Sequence, residues 1–203
     1  MNLKKAILEI SEKLELLYQD REEILKLSRE IIRDCSIAIK NTHRKEFDKF
    51  QEKISLIKNK HLSLVKIVNK NPGVFFKYLQ TPEQEYVEAI IFYSIISKTN
   101  IPTPFDLKIH PLNYILGLAD VIGELRRFAL DNIRNSHVKD LNEILEKMDE
   151  IYTYLFTIDY PSALTKDLRH KVDIARNIIE KTRGDISLAI QMDDLKSCFE
   201  NNM

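Results

Sequence analysis

A chain of 203 residues, 44% of them hydrophobic, is long enough for a substantial core and too apolar to stay disordered. Lysine plus arginine equals aspartate plus glutamate at 31 each, so net charge names no partner. Four glycines and six prolines leave little material for hairpin turns, and no stretch alternates apolar and polar residues for long, which favours long helices over sheet.

In chain order, Leu3 to about Lys40 places Leu14, Leu17, Ile24, Leu27, Ile31, Cys35 and Ala38 at spacings of threes and fours, one helical stripe. Arg44 to about Asn69 repeats the pattern through Phe47, Phe50, Ile54, Ile57, Leu62, Leu64 and Ile67, and Asn71-Pro72-Gly73 stops it. A short segment, Val74 to Leu79, leads to Thr81-Pro82-Glu83-Gln84. This quartet predicts a helix start, with Thr81 as N-cap, Pro82 at the first helical position and Gln84 completing a capping box. That helix should reach about Lys98, and Asn100-Ile-Pro-Thr-Pro reads as a rigid loop. Further helices are expected from near Pro111 to about Arg134, Val138 to Phe156, and Lys166 to Ile190, with residues 191–203 as a fraying tail. No repeat or low-complexity linker divides the chain. The expectation is one all-α domain over 1–203, built from six or seven helices.

From His43 to Lys70 there are eight Lys or Arg and three Asp or Glu, which suits a nucleic-acid face or a solvated helix flank. Cys35 lies among isoleucines and reads as a small buried hydrophobe, while Cys198 lies in a polar tail. Two isolated thiols form no disulfide framework and fit a reducing cytosol, so a cytoplasmic location is expected. The N-terminus is charged every few residues and lacks a signal peptide's apolar core. The richest apolar run, Ala89 to Ile96, falls far short of the roughly 20 residues that span a bilayer, and no membrane association is expected.

Two pairs of acids stand out. Glu85 and Glu88, three apart, project from one face of a helix, as do Asp120 and Glu124, four apart on the next long helix. Both helices are among the most apolar in the chain, and acids embedded there are costly unless paired or metal-bound. If the two faces meet, the carboxylates require a compensating cation, for which Mg²⁺ (or Mn²⁺) with oxygen ligands is the natural choice. Gly117 and Gly123 inside the second helix each cost about 1 kcal/mol relative to Ala, which suggests that another helix or a ligand approaches closely there. A plainer reading stands beside this one: Glu85 favours the helix N-terminal dipole, and Glu124 pairs with Arg127.

Other chemistries have less support. A di-iron bundle wants Glu-x-x-His on paired helices, and neither Glu88 nor Glu124 has a histidine three residues on. His43, His61, His110, His137 and His170 sit at no metal-ligand spacing, and there is no P-loop, dinucleotide fingerprint or nucleophile elbow.

Gln84-Glu-Tyr-Val-Glu-Ala and Tyr114-Ile-Leu-Gly-Leu-Ala-Asp-Val-Ile-Gly-Glu-Leu-Arg-Arg resemble the two signature helices of the translin superfamily. Arg21-Glu-Glu-Ile-Leu-Lys-Leu-Ser-Arg-Glu, ending in His43-Arg44, is similar to the N-terminal helix of its translin-associated factor X branch. Asp167-Leu-Arg-His-Lys-Val-Asp, through Arg183-Gly-Asp185, is similar to the final helix. The resemblance spans about residues 20 to 186 and implies a translin-like helical fold. It also implies catalytic, metal-holding roles for Glu85, Glu88 and Asp120, with Glu124 as an extra metal ligand. The short connection from Tyr93 to Tyr114 and Asn113 in place of an acid depart from animal members, and point to a compact, archaeal-type version.

The activity implied is Mg²⁺-dependent endonucleolytic cutting of single-stranded RNA, with single-stranded DNA as a second ligand, inside a closed homo-oligomeric shell. A separate translin-type partner is not required. Because carboxylates repel phosphate, basic residues must bind the strand; Arg29, Arg33, His43, Arg44 and Lys77 are the candidates. Two rivals remain open: a non-catalytic nucleic-acid-binding scaffold, and an all-α nucleotide pyrophosphohydrolase. The second uses a similar ExxE pattern but usually pairs it with Glu-x-x-Asp rather than the Asp-x-x-x-Glu present here.

Overall fold

The computed structural model describes residues 3–200. Among these, six long helices carry the architecture: α1 (Leu3–His43), α2 (Phe47–Val68), α4 (Gln80–Ile96), α6 (Pro111–Arg134), α7 (Leu141–Phe156) and α9 (Leu168–Glu200). Three four-residue helices, α3 (Pro72–Phe75), α5 (Pro104–Leu107) and α8 (Ser162–Thr165), and a 3₁₀ turn over Phe76–Leu79 connect them. The described residues contain no strand, as the sequence implies. None of their helices is long and apolar enough to cross a membrane.

The chain packs as two units, one ending at Tyr86 and the other beginning at Val87, so the boundary falls inside α4. In the first unit α1 packs along α2. Ile24, Ile31, Cys35 and Ala38 on α1 are fully buried, as are Ile57, Leu64 and Val68 on α2. Each stripe repeats at helical spacing, and burying one large aliphatic side chain contributes about 1.5–3 kcal/mol. In the second unit α9 packs on both α6 and α7. Leu116, Leu125, Met148, Leu155, Ile179 and Ile186 fill that core.

Two local expectations change. Thr81 is not an N-cap, because the 3₁₀ turn runs straight into α4 and Gln80 already has helical backbone angles. A cap residue needs an extended backbone to turn its side chain toward the first amides, and Thr81 lies inside the helix. At the other end, α9 continues as an exposed helix to Glu200; the last three residues of the expected tail lie outside the described residues. With few glycines available, the left-handed backbone positions fall to Lys45, Lys98, Lys108, Ser136 and Lys166.

Polar contacts buried between helices tie the first unit together. The Asp34 side chain, 4% exposed on α1, accepts hydrogen bonds from Lys60 at 2.8 Å and Lys53 at 3.3 Å, both on α2. Lys60 also reaches Glu30 at 2.9 Å. His61 Nε2 lies 3.0 Å from Glu83 Oε1, with both side chains 1% exposed, and this links α2 to the start of α4.

Burial alone would push the Asp34 carboxyl up, but the two lysines outweigh it and hold the group below the ordinary carboxylate range. A depressed native pKa means that the stabilisation is complete above the unfolded value and is lost as pH falls through the native one. Asp34→Ala should therefore lower unfolding stability by about 2–3 kcal/mol near neutral pH, measured by denaturant titration. The deficit relative to wild type should shrink as the pH is taken below about 4.

Candidate active site

Helix α4 is apolar on nearly every side: Val87, Ala89, Ile91 and Phe92 are fully buried. Phe92 meets Phe128 of α6 edge to face, at 6.1 Å between ring centres. Against this background Glu85 and Glu88 remain half-buried on a shared face. Tyr86, between them in sequence, turns into the core, where burial pushes its hydroxyl up to about 12.

On α6, Val121, Ile122 and Leu125 point into the core, which leaves Asp120 and Glu124 half-buried at its edge. Asp120 is not bare. Lys171 Nζ, from the first turn of α9, donates to both of its carboxylate oxygens at 2.5 Å. The two side chains are only 24% and 34% exposed. Glu124 lies 3.6 Å from Arg127, the plain i,i+3 pairing that the sequence allows.

A second polar link joins the same two helices. Arg126 donates to Thr182 Oγ1 at 2.8 Å and pairs with Asp185 at 2.9 Å. This accounts structurally for the acid in the Arg183-Gly184-Asp185 stretch.

The four acids are thus placed as two pairs on two apolar helices. Among the described residues, no group of three or more His, Cys, Asp or Glu side chains lies close enough to hold a metal ion. The donor chemistry nevertheless fits a hard divalent cation, since every member is a carboxylate. Asp120 already binds a cationic group, the Lys171 ammonium, through both oxygens.

The candidate strand-binding residues all belong to the first unit. Arg29 and Arg33 are exposed and four apart, on one side of α1. Arg33 lies 4.0 Å from Asp34. His43 is half-buried at the end of α1, and Arg44 is exposed in the turn that follows. Lys77 is exposed, with its ammonium 5.3 Å from the ring centre of Tyr78.

Sequence reasoning missed Lys171, although its position was readable. It follows Leu168 by three and precedes Ala175 by four, which sets it beside the buried stripe of α9 rather than on the solvated side. The buried His61–Glu83 pair was likewise passed over, because a lone histidine carries no spacing signal.

This is an all-helical chain with two acid pairs on apolar helices, the class of arrangement that the signature helices imply. The Translin family model matches residues 5–183, and the chain belongs to that family. An uncharacterized protein of Methanocaldococcus jannaschii is 43% identical over 173 residues, covering 84% of this chain and 77% of that protein. The translin-associated protein X homolog of Schizosaccharomyces pombe is 27% identical over 184 residues, covering 81% of this chain and 78% of its own length. Among solved structures, AfC3PO in complex with duplex RNA superposes with a TM-score of 0.85 at 31% identity, covering 92% of this chain and 97% of that one. Apo-NeC3PO, at 22% identity and a TM-score of 0.83 over 90% of this chain and 96% of that one, shares the fold.

Gly123 narrows one expectation. A Cβ built there meets nothing within 4 Å, so among the described residues no other helix approaches that position. Gly123→Ala should therefore stabilise the fold by about 1 kcal/mol, the ordinary helix-propensity gain. A lowered thermal midpoint would show that a second surface closes on this position.

Proposed function

We propose that this chain is a divalent-metal-dependent endoribonuclease that cuts single-stranded RNA within a closed oligomer. The observation that carries the reading is the retention of Glu85, Glu88 and Asp120, half-buried on apolar α4 and α6, in a chain that belongs to the Translin family. Support for RNA as the ligand comes from the related AfC3PO, whose structure is a complex with duplex RNA.

Glu85, Glu88 and Asp120 hold Mg²⁺ or Mn²⁺, with Glu124 assisting. A cation bound there supplies charge against the scissile phosphate and acidifies a coordinated water. The carboxylates cannot bind RNA themselves, since like charges repel. The strand is held by basic residues: exposed Arg29 and Arg33 on one side of α1, half-buried His43 and exposed Arg44 at its end, and exposed Lys77 in the 3₁₀ turn.

A scaffold that binds nucleic acid without cutting it is the second reading, favoured by the absence of a ready-made ligand cluster among the described residues. Labelled single-stranded and duplex RNA, incubated with the purified protein in Mg²⁺ or in EDTA, separate the two. Cutting should require the metal. Glu85→Gln, Glu88→Gln or Asp120→Asn should each reduce the cleavage rate by about 100-fold or more while RNA binding persists. Glu124→Gln should cost about tenfold, because an assisting ligand is partly replaceable. Binding with no metal-dependent cutting would establish the scaffold. Release of pyrophosphate from free nucleoside triphosphates would instead mark a nucleotide hydrolase.

A further inference from the structure

We infer that Lys171 is the resident counter-cation of the acidic site, holding Asp120 until a divalent metal displaces it. The inference rests on the reading above that Asp120 is a metal ligand.

Three observations carry it. The Lys171 ammonium bridges both oxygens of Asp120, occupying one lone-pair site on each and setting a positive charge where a metal would approach. The Lys171 side chain is three-quarters covered, 24% exposed, and its ammonium is committed to Asp120 rather than to solvent alone. Its placement is fixed by the fold: Leu168, Val172 and Ala175 bury the adjoining stripe of α9, and the Arg126 links to Thr182 and Asp185 clamp the same helix against α6.

A carboxylate bridged in this way is neutralised, so the metal-free site does not present Asp120 as a naked anion to an approaching phosphate. A metal cation on the same carboxylate is repelled by the ammonium, so loading weakens the Lys171 contacts, and the flexible stem of the side chain lets the ammonium swing aside without moving α9. Lys171 is thus a positioning residue that sets how tightly metal is held.

The test is Mn²⁺ binding to the intact protein, followed calorimetrically for wild type, Lys171→Met, Lys171→Arg and Asp120→Asn. Lys171→Met should bind Mn²⁺ about five- to tenfold more tightly than wild type, the range expected for removing a competing half-buried ion pair. Lys171→Arg keeps the charge and should stay near wild type. Equal Mn²⁺ affinity in wild type and a folded Lys171→Met protein overturns the role of Lys171, and the metal reading then stands if Asp120→Asn still loses binding. Undiminished Mn²⁺ binding by Asp120→Asn overturns the metal reading itself.

Amine acylation of wild type, followed by peptide mass spectrometry, needs no variant. Lys171 should label faster when Mn²⁺ is added, while Lys181, exposed on the same helix, should not change. Should Lys171→Met fail to fold, this measurement decides: an unchanged Lys171 labelling rate overturns the inference.

Discussion

An ionised carboxylate on an apolar helix face needs a cation, and Asp120 on α6 meets that need through the ammonium of Lys171 on α9. The pairing does more than neutralise a charge. It fixes one point of contact between α6 and α9, and Arg126, reaching Thr182 and Asp185, fixes another. Apolar stripes bring two helices together but tolerate sliding by a turn, whereas charge pairs at defined positions do not. The register of α9 on α6 is therefore written largely in polar contacts, and those contacts include a candidate catalytic acid.

The first unit follows the same rule, with no candidate catalytic acid among the paired residues. Asp34 on α1 is closed by Lys53 and Lys60 of α2, and Glu83 at the start of α4 meets His61 of α2. Each pair joins helices that also share an apolar seam or a buried end. Leaving one partner of such a pair in place without the other strands a buried charge, which is why these positions are coupled more tightly than their individual contacts suggest.

The elements themselves were readable because helical periodicity is local. The helix expected from Pro111 to Arg134 has those ends in the structure, since a proline start and a change of pattern fixed both. Thr81 misled because a capping sequence says nothing about the backbone entering it, and here a 3₁₀ turn enters already coiled. Partners across helices were unreadable for a different reason. Lys171 lies 51 residues beyond Asp120, and nothing local in either segment names the other. Spacing could place Glu85 with Glu88, and Asp120 with Glu124. The roles of these acids came from the likeness of two signature helices, since spacing alone left the plain pairing of Glu124 with Arg127 equally open. The structure contains that pairing.

Gly123 sharpens the contrast between what the chain needs and what a ligand needs. A glycine within a helix carries a propensity cost of about 1 kcal/mol, and a close-packed neighbour would explain it. Among the described residues no neighbour stands where its Cβ would be, so their packing gives no reason for it. Among the residues near it, Asp120 lies three positions earlier on the same side of the helix, and Glu124 follows it in sequence. Under the proposed function, the open space beside those carboxylates would be available to a ligand from outside the chain. A side chain added at that turn of α6 would stand one turn from Asp120, whose ammonium partner Lys171 reaches across from α9.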